Sequence, residues 1–158
     1  MTQAMIVIRR GDRLDVPFLR SLLPHAYSRH VSALDTDVPI SCYVDNWGRR
    51  GDTALIAMED GHSVGAGWYR LFSARAHGYG FVDDQTPELT VVVVPSRQGE
   101  GIGQELLAGL LARAKADGYP GLSASVEKDY PERASLLEQG FEPLGEHGTS
   151  LTMHRSLA

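Results

Sequence analysis

Cysteine is almost absent from this 158-residue chain, which carries a single thiol at Cys42. One cysteine cannot close an intramolecular disulfide or build a four-thiolate zinc site, and it suits a reducing compartment. An excess of basic residues is missing too. Net charge is −5, with 9 basic and 8 acidic side chains in residues 1–80 and 6 and 12 in residues 81–158. No basic stripe offers itself to a phosphate backbone, so a nucleic-acid partner is not expected. Long apolar runs are also lacking. The longest, around Val91–Val94, falls far short of the roughly 20 residues that a membrane-spanning helix needs. The alternating Ile6-Val7-Ile8 ahead of Arg9 and Arg10 is not the apolar stretch of a signal peptide. Six histidines (His25, His30, His62, His77, His147 and His154) show no His-Glu-x-x-His spacing, so no metal site is expected. The expectation left by these absences is a cytoplasmic domain without a membrane partner.

What is present is ordinary for a globular chain: 42% hydrophobic and 22% charged residues. The length predicts one domain over residues 1–158, able to bury roughly 70% of its unfolded surface without a metal or disulfide staple. Met5–Ile8 predicts a first strand. Asp12 predicts a helix cap, with Leu14, Phe18, Leu19, Leu22 and Leu23 at helical spacing until Pro24 closes or kinks the helix. Residues 25–50 read as short helix and loop. Thr53–Met58, a turn at Asp60-Gly61, and Val64–Leu71 predict a hairpin. Ser73–Thr86 reads as a long loop. Leu89–Val94 is apolar on both faces except at Thr90, which predicts a central strand.

From Ile102 to Ala114 the pattern changes to a helical stripe (Leu106, Leu107, Leu110, Leu111), ended by Gly118 and Pro120. Leu122–Val126 predicts a strand, Pro131 to Gly140 a helix, and Phe141–Leu144 and Ser150–His154 two closing strands. The fold class is therefore α/β: a mixed, mostly antiparallel central sheet of six to seven strands flanked by about four helices.

Between the strongest strand and the strongest helix stands Gln98-Gly99-Glu100-Gly101-Ile102-Gly103. Glycine permits positive φ and close backbone approach, and a helix start presents unpaired N–H donors with a partial positive charge. Together these make an anion site suited to phosphate. Counting from Gly99 or from Gly101, the sixth position is Gln104 or Leu106, so the dinucleotide fingerprint fails; no Gly-Lys-Ser/Thr follows, so the P-loop fails too.

These residues resemble the GNAT acetyltransferase superfamily, whose signature is Gln/Arg-x-x-Gly-x-Gly/Ala between a central strand and a helix. The resemblance continues through Ser125-Val126-Glu127-Lys128-Asp129 ahead of Pro131, and through Gly140-Phe141 after the following helix. It implies a cleft where two parallel strands, Leu89–Val94 and Leu122–Val126, splay apart around acetyl-CoA. Main-chain groups of Val92, Val93 and Val94 would pair with the pantetheine arm, although the same valines read equally well as plain core. Arg97 stands beside the loop as a nearby cation, with Lys128. The N–H groups of Gln98, Gly99, Glu100, Gly101, Ile102 and Gly103 would hold the pyrophosphate. The implied activity is N-acetyl transfer from acetyl-CoA to the primary amine of a small molecule or peptide, directly within a ternary complex. A homodimer is compatible with such sheets.

Two departures stand out. Glu100 occupies a position that is often basic in the family. Leu136 stands where many members carry a tyrosine that protonates the departing thiolate, and Tyr130 stands where many carry asparagine. Tyr130 is then either an alternative acid or a packing residue. Glu88 is either the base that deprotonates the incoming amine or a solvated strand cap. Asp83 and Asp84 are cation attractors or turn residues, and Tyr27, Tyr43 and Trp47 line the acceptor pocket or the core. With the usual acid missing, a silent acyl-CoA-binding module is the alternative to an enzyme.

Overall fold

The computed structural model describes residues 6–27, 40–147 and 150–157. Seven strands form one sheet: β1 (Ile6–Arg10), β2 (Thr53–Glu59), β3 (His62–Arg70), β4 (Glu88–Val93), β5 (Gly121–Glu127), β6 (Glu142–His147) and β7 (Ser150–Ser156). Their order is β1-β2-β3-β4-β5-β7-β6, and every neighbouring pair is antiparallel except β4 with β5. Three α-helices accompany them among the described residues: α1 (Val16–Ala26), α2 (Ile102–Ala116) and α3 (Glu132–Glu138). About four were expected. Within residues 25–50, beyond the end of α1, the described part holds only a 3-10 turn at Ile40–Tyr43, and His30 lies outside the described residues.

The double-sided apolarity of β4 follows from its position. Leu89, Val91 and Val93 pack with the α2 stripe of Leu106, Leu107 and Leu110, while Val92 packs with Leu19, Leu22 and Leu23 of α1. Every β4 residue is buried, as a strand covered on both faces requires. The strand stops at Val93, one residue early, because the Val94 carbonyl already accepts the Arg97 N–H at 2.9 Å in a 3-10 turn over Pro95–Arg97. Pro24 does not end α1. It forfeits one donor, yet Leu23 still accepts the Tyr27 N–H at 2.9 Å.

The end of β3 is pinned by a buried ion pair. Arg70 grips Asp52 through Nε at 3.0 Å and Nη2 at 2.7 Å, and its Nη1 donates to the carbonyls of Cys42 (3.0 Å) and Asp45 (2.7 Å). Side-chain exposure is 1% for Arg70 and 2% for Asp52. Such a pair contributes little over an apolar substitute, but breaking it strands a buried charge. Arg70→Leu is therefore expected to destabilise the fold by about 3–5 kcal/mol in urea unfolding. A loss below about 1 kcal/mol would show that water reaches Asp52.

Candidate active site

The parallel ladder between β4 and β5 is short: Glu88 opposes Ser123 and Leu89 opposes Ala124. Beyond that point β5 remains paired with β7 along its whole length, so β4 and β5 part. The gap is a cavity lined by Thr90, Val91, Ala124, Ser125, Tyr130 and Leu136 among others. The Tyr130 hydroxyl donates to the Val91 carbonyl at 3.0 Å across this gap.

Strand phase decides which backbone groups face the gap. Val94 donates to the Val64 carbonyl at 2.9 Å and its own carbonyl is taken by Arg97, so both of its groups are spent. Val92 pairs with Ala66 in the same phase, which turns its backbone toward β3 as well. Of the three valines expected to offer main-chain groups, only Val93 faces the gap, with its carbonyl accepting from Gln98 Nε2 at 3.3 Å. Val91, absent from the sequence-based set, is its partner there. The period-2 alternation was visible in the sequence; its phase depended on which strand lies on which side.

The glycine loop opens α2 as expected. Gly99 and Gly101 sit at φ +82° and +85°, and a Cβ added at either would meet nothing within 4 Å, so backbone conformation is what demands glycine there. Gly101 is the N-cap residue of α2 and no side chain caps it, leaving the first N–H groups of a 15-residue helix for an anion. Gly103 is different: a Cβ there would collide with the Glu132 carboxylate of α3. The Ile102 side chain is in the core, 3% exposed, so only its main chain can meet a ligand. Arg97 pairs with Glu59 and, at 3.3 Å, with Glu100. The Glu100 carboxylate thus leans on a cation beside the loop. Lys128 is engaged by Glu146 at 3.0 Å, so both nearby cations are already paired.

Glu88 is no solvated cap; it is 2% exposed. The Tyr43 hydroxyl donates to its Oε2, and that hydroxyl accepts the Tyr79 N–H at 2.8 Å. Oε1 makes no hydrogen bond among the described residues. Burial pushes the carboxyl up to about 7, against the pull of Tyr43 and of the Gly80 N–H. Gly80 crosses close over β5, where a Cβ would stand 2.7 Å from the Ala124 carbonyl carbon. Tyr27 stacks on Tyr43 with centroids 4.5 Å apart, and its hydroxyl bonds Thr90 Oγ1 at 2.9 Å. Glu88 therefore sits at the root of the gap, inside an aromatic enclosure.

The other candidates fall into place around it. Trp47 stacks under the Arg70 guanidinium, 5.4 Å from centroid to Cζ, and belongs to that clamp. Asp83 accepts the Gln85 N–H at 2.9 Å in an exposed turn, next to the equally exposed Asp84. Burial pushes the Cys42 thiol up to about 12, so it is no thiolate nucleophile at neutral pH. Leu136 is 2% exposed and packs in the core beside the gap. Burial also raises the Tyr130 hydroxyl above its ordinary range, reinforced by the charges of Glu132 and Glu127. Sequence reasoning missed the bond between Tyr43 and Glu88, which lie 45 residues apart. Among the described residues there is no His/Cys/Asp/Glu group able to hold a metal, and no helix long and apolar enough to cross a membrane.

Comparison with known proteins agrees with this geometry. Mycothiol acetyltransferase of Brachybacterium faecium is 34% identical over 93 residues, covering 58% of this chain and 26% of that relative. The match thus spans about a quarter of the relative's length. Ribosomal-protein-alanine N-acetyltransferase from Brucella melitensis superposes with a TM-score of 0.68 at 27% identity, covering 95% of this chain and 99% of its own. The fold of yncA from Salmonella typhimurium, solved with its cofactor acetyl-CoA, superposes with a TM-score of 0.71 at 22% identity, covering 97% and 94% of the two chains. Residues 17–141 match the acetyltransferase (GNAT) family, and with the parted β4–β5 pair and the glycine loop on α2 in place, the chain belongs to that family.

Proposed function

We propose that this protein is an N-acetyltransferase that moves the acetyl group of acetyl-CoA to a primary amine of a small molecule or peptide, directly within a ternary complex. The observation that carries the reading is Glu88: a buried carboxyl held near neutrality at the root of the gap. An amine is mostly protonated at pH 7, so transfer needs a group able to take its proton. The α2 N-terminus and the N–H groups from Gln98 to Gly103 suit the pyrophosphate, and the gap-facing groups of Val91 and Val93 suit the pantetheine arm. Bound there, acetyl-CoA supplies a thioester carbonyl. Glu88 takes the amine proton, the freed lone pair forms the C–N bond, the C–S bond breaks, and the thiolate is protonated as it leaves.

Tyr130 lines the gap with a phenolic proton to give, once its hydroxyl exchanges the Val91 carbonyl for sulfur. Tyr130→Phe is expected to lower turnover by about 10²-fold, the low end of general-acid effects, without weakening acetyl-CoA binding. Unchanged turnover would leave solvent as the acid. Glu100→Lys exchanges a carboxylate for an ammonium near the α2 N-terminus, an effect of about 0.3–1 kcal/mol per charge. CoA binding by calorimetry is expected to tighten a few-fold.

One observation favours a second reading, a silent acyl-CoA-binding module: Leu136 is packed into the core at the position where the family resemblance places, in many members, an acidic tyrosine. Free-thiol release against a panel of amines separates the two. An enzyme turns over at least one amine well above background hydrolysis; a module binds acetyl-CoA in a thermal-shift assay and turns over none.

A further inference from the structure

We propose that Tyr43 is the positioning residue of this site, locking Oε2 of Glu88 and leaving Oε1 as the atom that receives the proton. The inference deepens the reading of Glu88 as base and rests on it.

Hydrogen-bond direction carries the argument. A tyrosine hydroxyl has one proton to donate and lone pairs to accept with. The Tyr79 backbone N–H, which can only donate, occupies the accepting side of the Tyr43 hydroxyl at 2.8 Å. An ionised carboxylate can only accept, so opposite the charged Glu88 the Tyr43 proton points at Oε2. The ring cannot swing away. It stacks on Tyr27 at an interplanar angle of 11°, meets Phe72 edge-on with centroids 5.7 Å apart, and its backbone carbonyl accepts Trp68 Nε1 at 3.0 Å. Burial also holds the Tyr43 hydroxyl protonated, far above its ordinary range.

Among the described residues no cation does this work instead. Tyr27, Tyr43 and Cys42 face Glu88 from the N-terminal elements, and all three are held neutral by burial. From β5 comes Ser123, the register partner of Glu88, whose buried hydroxyl makes no hydrogen bond among the described residues. On β3 the register partner is Arg70, but its guanidinium is spent on Asp52 and on the carbonyls of Cys42 and Asp45. From the segment above, Gly80 contributes only a backbone N–H. The Tyr43 O–H is thus the one side-chain donor on the carboxylate among the described residues.

Two consequences follow. In the transfer step the amine N–H bond breaks and an O–H bond forms at Oε1, neutralising the carboxylate while Tyr43 keeps its own proton. Without the Tyr43 hydroxyl, burial acts on the carboxylate with less opposition, so Glu88 holds its proton to higher pH.

The test is the pH profile of kcat/KM for an amine that the wild type accepts, with Tyr43→Phe and Glu88→Gln beside it. A hydrogen bond to a charged group is worth roughly 1.5–3 kcal/mol and one pH unit about 1.36 kcal/mol. Tyr43→Phe is therefore expected to move the acidic limb upward by about 1–2 pH units. The loss would be about 10- to 100-fold below the limb, with the two profiles converging at high pH and an unchanged KM for acetyl-CoA. The carboxyl carbon of Glu88, followed by 13C NMR and assigned by its loss in Glu88→Gln, should titrate with the same upward shift and needs no turnover. A limb left in place in Tyr43→Phe, or a uniform loss at every pH in a folded protein, overturns the role of Tyr43 while sparing Glu88. An acidic limb that persists in Glu88→Gln overturns the reading of Glu88 itself.

Discussion

Glu88→Gln is expected to lower turnover by roughly 10²–10⁴-fold at neutral pH, the usual cost of removing a general base, while acetyl-CoA binding stays at its wild-type level. The deficit should shrink as pH rises and the free amine becomes neutral without help. The same substitution should stabilise the protein. The folded carboxyl is raised from 4.5 to about 7 by burial. Below the unfolded value both states keep the proton and nothing is lost. Between the two values the unfolded chain releases it first, so stability falls as pH rises through that window. Above about 7 the penalty is constant, on the order of 3 kcal/mol. Glutamine carries no such penalty, so the Tm of Glu88→Gln should exceed that of wild type at pH 8 and the gap should close near pH 4. Loss of activity with gain of stability in one variant marks a residue kept for chemistry. Wild-type turnover at pH 7 would remove Glu88 from the mechanism.

Gly101→Val is expected to abolish acetyl-CoA binding, measured as a loss of about 100-fold or more by calorimetry. At φ +85° the new side chain has open space around it, so the damage comes through the backbone. A β-branched residue strongly resists this conformation, at a cost of order 1–3 kcal/mol, and the loop relaxes away from the geometry that aims its N–H groups. Gly103→Val fails for another reason, since its side chain meets the Glu132 carboxylate. The distinction is measurable. Glu132→Ala should recover binding in a Gly103→Ala background and do nothing for Gly101→Val. Retained binding in both valine variants, with the fold intact by circular dichroism, would sink the assignment of the loop.

Short-range pattern was legible from neighbouring residues alone. The stripe from Ile102 to Ala114 made α2, the apolar run Leu89–Val94 made a central strand, and the alternating glycines between them made a loop with left-handed backbone at Gly99 and Gly101, because periodicity and φ freedom are properties of neighbouring residues. The element order and the glycine motif were enough to resemble the right family. The rest came from contacts made across the folded chain. Glu88 read as a base or as a solvated strand cap because β4 begins there; it is buried because Tyr43, Gly78 and Gly80 come from other parts of the chain to cover it. Val92 and Val94 looked equivalent to Val93 until β3 claimed the backbone of Val92, and β3 with the turn at Arg97 that of Val94. Arg97 looked free until β2 brought Glu59 to it. Burial, strand phase and charge pairing depend on residues distant in sequence. A carboxyl's pKa follows from that surrounding and cannot be read from its neighbours in the chain.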